Sequence, residues 1–349
     1  MALIPDNIEL LKQSRFCPPE HWDWGFRTVD DVKIRYGQPR SRKAYDSVVV
    51  ILGGLGDFGE QYFELANHLD SKNLKPIVID MPGQGGSSRY LPSTPMKRHS
   101  QGFDKILSQL HTVFDDIALS SAIDIDDNHK RLPVILLAHS MGGHIALRYL
   151  TEYNSSSRGS KIFSACAMTA PMTGIRAVNS VPIILRQIIL GCLSFFPQSY
   201  VPGGCDWFDG YRERPRFKGI FSSDPERSQL QKIFFSHPDF KFLTTGSPTN
   251  KWLLDALSSC KKIAQKNYFS ALETPILIAI AGDDKLVDNQ STKFIAPQIK
   301  SAELLEIDGS QHEILMEKDV YRQVFIDRFF TFISDNVLNK PDKGKTFIQ

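Results

Sequence analysis

Ser140 lies in Ala138-His139-Ser140-Met141-Gly142-Gly143, directly after the apolar run at 134–137 and ahead of a helical pattern at 141–153. Small residues two places either side of a serine permit a strand-to-helix turn so tight that larger side chains would collide. Such a turn, a variant of the G-x-S-x-G nucleophile elbow, presents the hydroxyl at the end of a sheet. Ala138 stands at the first glycine position, where a methyl group still fits. A serine hydroxyl is a weak nucleophile at its free pKa, so it needs a base, and the base needs an orienting acid. On this kind of turn the chain order is serine, acid, histidine. An acid is available in Asp283-Asp284-Lys285-Leu286-Val287-Asp288, after the apolar run at 275–280, and a base in His312, after the run at 304–307. Spacing alone leaves Asp283, Asp284 and Asp288 in competition. An ordinary strand–turn–helix corner with a serine in it would not need the acid and the histidine to follow in that order after strand-like runs.

Attack by serine on an ester carbonyl creates an oxyanion that needs backbone N–H donors. The residue after the nucleophile, Met141, supplies one, and the glycine-rich loop Gly53-Gly54-Leu55-Gly56-Asp57 is placed to supply the other. A phosphate-binding reading of those glycines fails on spacing, since neither G-x-G-x-x-G nor a P-loop lysine is present. His139 adjoins the nucleophile, but neighbours at a sharp turn point apart, so packing is its expected role. His144, on the following helix, is expected to pack or cap. No histidine has metal-ligand spacing. The chemistry requires no metal and no organic cofactor.

The elements that must hold these residues are legible as an alternation. Ser47–Leu52, 76–79, 134–137 and 275–280 are short, continuously apolar and rich in β-branched residues, as strands buried on both faces are. Helical patterns at 60–69, 103–119, 141–153 and 318–333 fall between or after them, which predicts an α/β fold with a doubly wound, mostly parallel sheet. Between 172 and 269 the alternation stops and Pro182, Pro197, Pro202, Pro215, Pro225, Pro238 and Pro248 accumulate. This stretch reads as an inserted, mostly helical cap over the strand ends. The expected division is an N-terminal extension at 1–25, a core at 26–171 and 270–338, the cap at 172–269, and a C-terminal tail at 339–349.

Composition sets the outer limits. The 349 residues are 42% hydrophobic and 23% charged, proportions of a globular chain, and the formal net charge of +2 lacks the basic excess that nucleic-acid binding needs. Five cysteines without a C-x-x-C pair suggest reduced thiols and a cytoplasmic setting. Residues 1–16 do not have the pattern of a signal peptide. The longest apolar stretch, 181–197, is interrupted by Arg186 and Gln187 and falls short of the ~20 residues of a spanning helix, though it could lie against a membrane, giving a peripheral position at the inner face of the cytoplasmic membrane.

With these residues in hand, the chain resembles the α/β-hydrolase family, and within it the branch of bacterial lysophospholipases and monoglyceride lipases. The resemblance covers about 48–333 and is strongest at Ala138–Gly143, Thr169-Ala-Pro-Met172, Leu286-Val-Asp-Asn289 and His312-Glu-Ile-Leu-Met-Glu-Lys-Asp319, with Asp80-Met-Pro-Gly-Gln-Gly-Gly-Ser87 similar to the branch's D-x-x-G-x-G-x-S turn. It implies Ser140 as nucleophile, His312 as base, Asp284 as acid, and the amides of Leu55 and Met141 as oxyanion donors. The histidine that commonly opens the oxyanion loop is Gly53 here.

The implied activity is hydrolysis of a carboxylic ester of a lipid. A lysophospholipid comes first, with monoacylglycerol or another ester as the alternative; amide hydrolysis and a non-catalytic binding protein on the same scaffold rank lower. In the cap, Val181–Phe196 carries more apolar surface than packing on one side requires. It is read as ordinary packing, as an acyl-chain wall involving Ile184 and Ile188, or as a face for the bilayer. Arg176, Arg186, Arg212, Arg214 and Arg216 are candidates to meet a phosphate, Arg176 foremost. The expected partner is thus a lipid small molecule, with peripheral membrane contact through the cap; oligomeric state is left open.

Overall fold

The computed structural model describes residues 8–40, 43–123, 131–154 and 161–339. A run of Val, Ile and Leu without alternation is stable as a strand only where both faces are covered. Ser47–Leu52 (β3) is such a strand: Val48, Val50 and Leu52 enter one apolar cluster, and Val49 and Ile51 enter another. Val134–His139 (β5) and Ile276–Ala281 (β7) divide their side chains in the same way. With Trp22–Val29 (β1), Val32–Pro39 (β2), Leu74–Ile79 (β4), Ala165–Thr169 (β6) and Ala302–Ile307 (β8) they form an eight-stranded sheet in the order β1-β2-β4-β3-β5-β6-β7-β8. β1 and β2 pair antiparallel, as do β2 and β4, and every other pairing is parallel, as the doubly wound reading expects.

The chain moves outward one way from β3 to β4 and the other way from β5 onward. The carboxyl ends of β3 and β5 therefore lie side by side at the reversal, where open α/β sheets form their ligand crevice. Leu52 is in register with Ala138, so the loop after β3 and the turn at Ser140 leave the sheet as neighbours.

Three strands have no counterpart in the apolar runs. β1 and β2 form an edge hairpin through Asp30 and Asp31, both at positive φ, and their burial is partial, so they show no continuous apolar signature. This corrects the N-terminal extension: residues 22–25 belong to the sheet, and Phe16 is buried in the core ahead of it. β6 is built from Ala, Cys, Met and Thr, small enough to pass close to its neighbours but without β-branched residues before its last position. The helical patterns correspond to Phe63–Ser71, Phe103–Val113, Met141–Glu152 and Asp319–Ile333, the second continuing into a wider turn at Phe114–Ala118. Of the C-terminal tail, only Asn339 lies within the described residues.

β6 and β7 are separated by helices Arg176–Asn179, Ile183–Ser194, Leu230–Ser236 and Asn250–Ile263, with isolated bridges but no strand. We take residues 172–269 as the cap. Buried Arg227 fastens it to the core, donating to both carboxylate oxygens of Glu64 (2.7 Å each), to Asp319 (2.7 Å) and to the Glu317 carbonyl (2.8 Å).

A second buried cation organises the opposite side. Arg35 on β2 donates to Glu60 (2.8 and 2.7 Å) and Asp80 (2.6 Å) while lying 3.9 Å over the Trp24 ring. Asp80 also accepts from the amides of Gly59 (2.7 Å) and Gly86 (2.6 Å), and Ser87 Oγ donates to its carbonyl (2.8 Å). The turn Asp80–Ser87 thus closes on its own first carboxylate, and a Cβ at Gly85, which has φ 56°, would overlap that group. Replacing Arg35 by methionine strands two buried carboxylates, so the expected loss is about 3–5 kcal/mol. Urea unfolding of Arg35→Met against wild type measures it; a midpoint unchanged at equal slope would show that the network holds nothing together.

Candidate active site

The elbow at Ser140 is strained in the manner its neighbours permit. Its backbone sits at φ 51°, ψ −115°, a region β-carbon-bearing residues rarely adopt. Its amide donates to the Thr169 carbonyl (2.9 Å), and its carbonyl accepts from His144 N (3.1 Å) and Met172 N (2.9 Å), which pins both sides of the turn. A Cβ at Gly142 would overlap the carbonyl oxygens of Leu52 and Gly53, and one at Gly143 would come to 2.9 Å from Pro171 Cβ. The small residues that marked the motif are therefore demanded by the β3 loop and by Pro171.

The structure brings Ser140, His312 and Asp284 into one hydrogen-bonded line. Ser140 Oγ is 2.9 Å from His312 Nε2, and Asp284 Oδ2 is 2.7 Å from His312 Nδ1. Asp284 Oδ1 accepts from the amides of Leu286 (2.8 Å) and Val287 (3.0 Å), so the carboxylate cannot rotate away. Burial would raise the Asp284 pKa, but His312 and these donors outweigh it and the net shift is downward. Burial would likewise depress His312, but the Asp284 charge and hydrogen bond, helped by Glu313 and Asp57, carry it above 6.5. The other two acids are not in this line. Asp288 caps the helix Asn289–Ile295, accepting from Gln290 N (3.1 Å), Ser291 Oγ (2.9 Å) and Asn179 Nδ2 (2.7 Å). Asp283 has no side-chain bond to the histidine; only its amide is engaged, by the Ser310 carbonyl (2.9 Å).

Gly53 opens the oxyanion loop, and the bracing comes from elsewhere. A Cβ there would stand 2.8 Å from Asp57 Cβ, so a histidine would not fit without movement. Asp57 Oδ2 accepts from Gly54 N (2.6 Å) and the Tyr62 hydroxyl (2.7 Å), and Gln84 accepts from Gly56 N (3.0 Å) while donating to the Gly54 carbonyl (2.6 Å). Arg98 Nη1 donates to the Leu55 carbonyl (2.9 Å). The amides on either side of Leu55 are consumed, whereas the Leu55 N–H has no protein partner among the described residues. Met141 N–H, in the first turn of its helix, has none either, as expected of a helix start.

His139 packs as expected, with Nδ1 3.0 Å from Thr169 Oγ1 and its ring 4.9 Å from that of His312. His144 bridges core and cap, reaching the Met172 carbonyl (2.9 Å) and Ser259 Oγ (2.6 Å); burial and the nearby Arg148 charge hold its pKa at about 3. Glu317, fully buried, accepts from Ser223 N (3.0 Å) and Oγ (2.6 Å) in the cap and from Gln311 N (3.0 Å) beside the histidine, so one carboxylate ties the His312 loop to the cap.

A cavity of about 550 Å³ opens from Ser140 and His312 beneath the cap. Val181, Ile189, Leu190, Leu193, Trp252 and Leu253 give it an apolar wall. The residues expected to line it need correction. Ile184 and Ile188, 72% and 59% exposed, lie on the outer face of the helix Ile183–Ser194, because Ile189, Leu190 and Leu193 take the inner one. Arg176 is outside the cavity too: its guanidinium donates to the Asp284 carbonyl and supports the loop that holds the acid. Arg214 does not line the cavity: it stacks 4.0 and 4.8 Å from the ring centres of Tyr211 and Phe217 and donates Nε–H to the Tyr211 carbonyl (2.9 Å). Arg186, Arg212 and Arg216 do line the cavity, with Arg98, a residue whose sequence surroundings carried no signal.

The sheet order, the strand-to-helix turn and the capped carboxyl ends define an α/β-hydrolase. The family model for serine aminopeptidase, S33, matches residues 43–319, and the chain belongs to that family. Lysophospholipase L2 of Escherichia coli strain K12 is 28% identical over 331 residues, covering 92% of this chain and 89% of its own. Monoglyceride lipase of Saccharomyces cerevisiae is 24% identical over 285 residues, covering 80% and 82%. A crystal structure of a soluble variant of the Saccharomyces cerevisiae monoglyceride lipase, in complex with a substrate analog, superimposes with a TM-score of 0.69 at 19% identity, over 92% of this chain and 97% of that one.

Two outcomes test this geometry. Asp284→Asn, which favours the wrong histidine tautomer, is expected to lower kcat by about 10⁴-fold, and Asp288→Asn to cost far less; steady-state kinetics on one soluble ester compares them. The raised His312 pKa also sets a sign: protonation removes the base, so kcat/KM falls as pH drops, with a midpoint above 6.5. A pH profile with its acid limb at or below that value would contradict the Asp284–His312 coupling.

Proposed function

We propose that the protein is a lysophospholipase, a serine hydrolase that releases the fatty acid of a single-chain phospholipid. Ser140 Oγ attacks the acyl carbonyl as His312 Nε2 takes its proton. Asp284 holds the imidazole in the required tautomer and stabilises the imidazolium. The amides of Leu55 and Met141 receive the oxyanion. His312 returns the proton to the glycerol oxygen as the ester bond breaks, and water repeats the sequence on the acyl-enzyme.

The observation that carries this reading is the cavity that joins Ser140 to an apolar wall in the cap, a shape suited to one acyl chain. The fuller match to lysophospholipase L2 than to monoglyceride lipase favours the phospholipid. Monoacylglycerol is the second reading, favoured by the likeness of the whole fold to the yeast enzyme.

The cap also supports peripheral contact with a bilayer. No helix among the described residues is long and apolar enough to cross a membrane. Yet none of the helix Ile183–Ser194 is buried, and Ile184, Ile188 and Phe195 continue along its outer side, Phe195 being 80% exposed. Burying each such side chain is worth roughly 1.5–3 kcal/mol, so a lipid surface would stabilise the arrangement that water does not.

The reading is tested with lysophosphatidylcholine, monoacylglycerol and diacylphosphatidylcholine of one chain length. The expected order of kcat/KM places lysophosphatidylcholine first; a monoacylglycerol preference would move the assignment to the second reading. Ile184→Asp with Ile188→Asp is expected to lower turnover of vesicle-borne substrate at least tenfold relative to a short soluble ester, and an unchanged ratio would remove the bilayer from the account.

A further inference from the structure

The cavity carries a charge pattern that an acyl chain does not explain. Four guanidinium groups face it, those of Arg98, Arg186, Arg212 and Arg216, against two carboxylates, Asp57 and Glu313. Both carboxylates are engaged, Asp57 by Gly54 N and the Tyr62 hydroxyl, Glu313 by Arg212 at 2.8 and 3.3 Å. Arg98 bonds only uncharged oxygens, the carbonyls of Leu55 and Gly246 and the Tyr211 hydroxyl, and Arg216 hydrogen-bonds the carbonyl of Gly203 while lying 4.7 Å over the Phe217 ring. Neither forms an ion pair among the described residues. Burial first, and then the charge of Arg212, bring the Arg98 guanidinium below its ordinary pKa against the opposing pull of Tyr211 and of the Asp57 carboxylate. A buried cation without an ion pair is costly, and the carboxylate that acts on Arg98 from nearby, Asp57, is already engaged by two other donors, so a ligand anion would relieve that cost.

Position gives the ligand its dimensions. Arg98 Nη1 is bonded to the carbonyl of Leu55, the residue whose amide is free for the oxyanion. The donating guanidinium nitrogen therefore stands at most about 6 Å from that donor, one residue's N-to-O span plus a hydrogen bond. In a lysophospholipid the phosphorus follows the ester oxygen by five single bonds, also about 6 Å when extended.

We propose that Arg98 and Arg216 form an anion subsite that takes the phosphodiester of the substrate while the acyl chain lies along the apolar cap wall. This rests on the lysophospholipase reading for its biological substrate, but the subsite is a binding claim that stands or falls separately. Arg98 then reads the headgroup and braces the oxyanion loop with the same guanidinium, and a neutral monoacylglycerol offers it no anion.

The experiment measures binding to Ser140→Ala by calorimetry with three probes: dodecylphosphocholine below its micelle concentration, neutral dodecyl maltoside, and inorganic phosphate. Adding Arg98→Gln is expected to weaken dodecylphosphocholine about tenfold or more, the effect of losing one charge-assisted hydrogen bond, and to leave dodecyl maltoside within twofold. Arg98→Lys is expected to recover part of the loss by restoring charge without the planar fork. Arg216→Gln, on an exposed side chain, gives the same direction in a variant that does not touch the oxyanion loop. Equal weakening of both amphiphiles, or no change in dodecylphosphocholine with either glutamine variant, overturns the proposal. Inorganic phosphate binding as tightly as dodecylphosphocholine overturns it in favour of a free-phosphate site. In parallel, the ratio of kcat/KM for lysophosphatidylcholine to monoacylglycerol is expected to fall about tenfold in Arg98→Gln with Ser140 intact. Arginine-dependent dodecylphosphocholine binding in an enzyme that hydrolyses only monoacylglycerol would support the subsite and refute the lysophospholipase reading.

Discussion

The backbone of Ser140 stands in a conformation that costs of order 1–3 kcal/mol, and much of the molecule is arranged so that this conformation has no easier alternative. β6 supplies the carbonyl that receives its amide, and the chain leaving β6 returns Met172 N to its carbonyl. The loop after β3 fits so closely beneath Gly142 that the helix Met141–Glu152 must begin where it does. The same closeness puts Gly54 beside the serine, a Cβ there coming to 3.0 Å from Ser140 Cβ. Strain at one residue thus fixes the relation between a nucleophile on one strand end and an amide on the next, which neither element would settle alone.

A cap inserted into a rigid sheet needs fastening where it must not move and freedom where it must. The fastening is by buried ions: Arg227 reaches helices at both ends of the chain, Arg212 grips Glu313 next to the base, and Glu317 binds cap and histidine loop together. Arg227 and Glu317, the buried members, are each satisfied on several sides, the condition under which a buried ion does not destabilise. The helix Ile183–Ser194 is different. It has no buried residue and turns an apolar face each way, inward to the cavity and outward to the surroundings. A segment so poorly packed belongs to the low-stability end of the molecule.

The electrostatics of the base follow from depth. His312 and Asp284 are both buried, so their mutual attraction is little screened, and the two shifts run in opposite directions, each favouring the charged form. His139 and His144 are equally buried without a carboxylate partner, and burial pushes both the other way. Four imidazoles or carboxylates in one neighbourhood are thereby sorted by partner and not by exposure.

The fold was legible because buried parallel strands and amphipathic helices print their periods locally, and Ser140 and His312 were legible because each follows a strand-like run in a known chain order. The edge hairpin was not, since half-buried strands mix polar and apolar residues, as Trp22–Val29 does. Among the acids, Asp284 and Asp288 stand on one loop, and only the packing decides that the first meets His312 while the second caps a helix. The helical period of 183–194 announced an apolar helix but not which of its faces would look inward. Arg98 was invisible for a related reason: its partners, Leu55 and Gly246, are 43 and 148 residues away, and nothing near it in sequence marks the contact. By itself the sequence determined most of the parallel strands, the tight turn and the order of the reacting groups, because these depend on neighbours along the chain. Which carboxylate, which helix face and which arginines serve the cavity were decided only by tertiary structure, because they depend on distances between residues that the chain holds far apart.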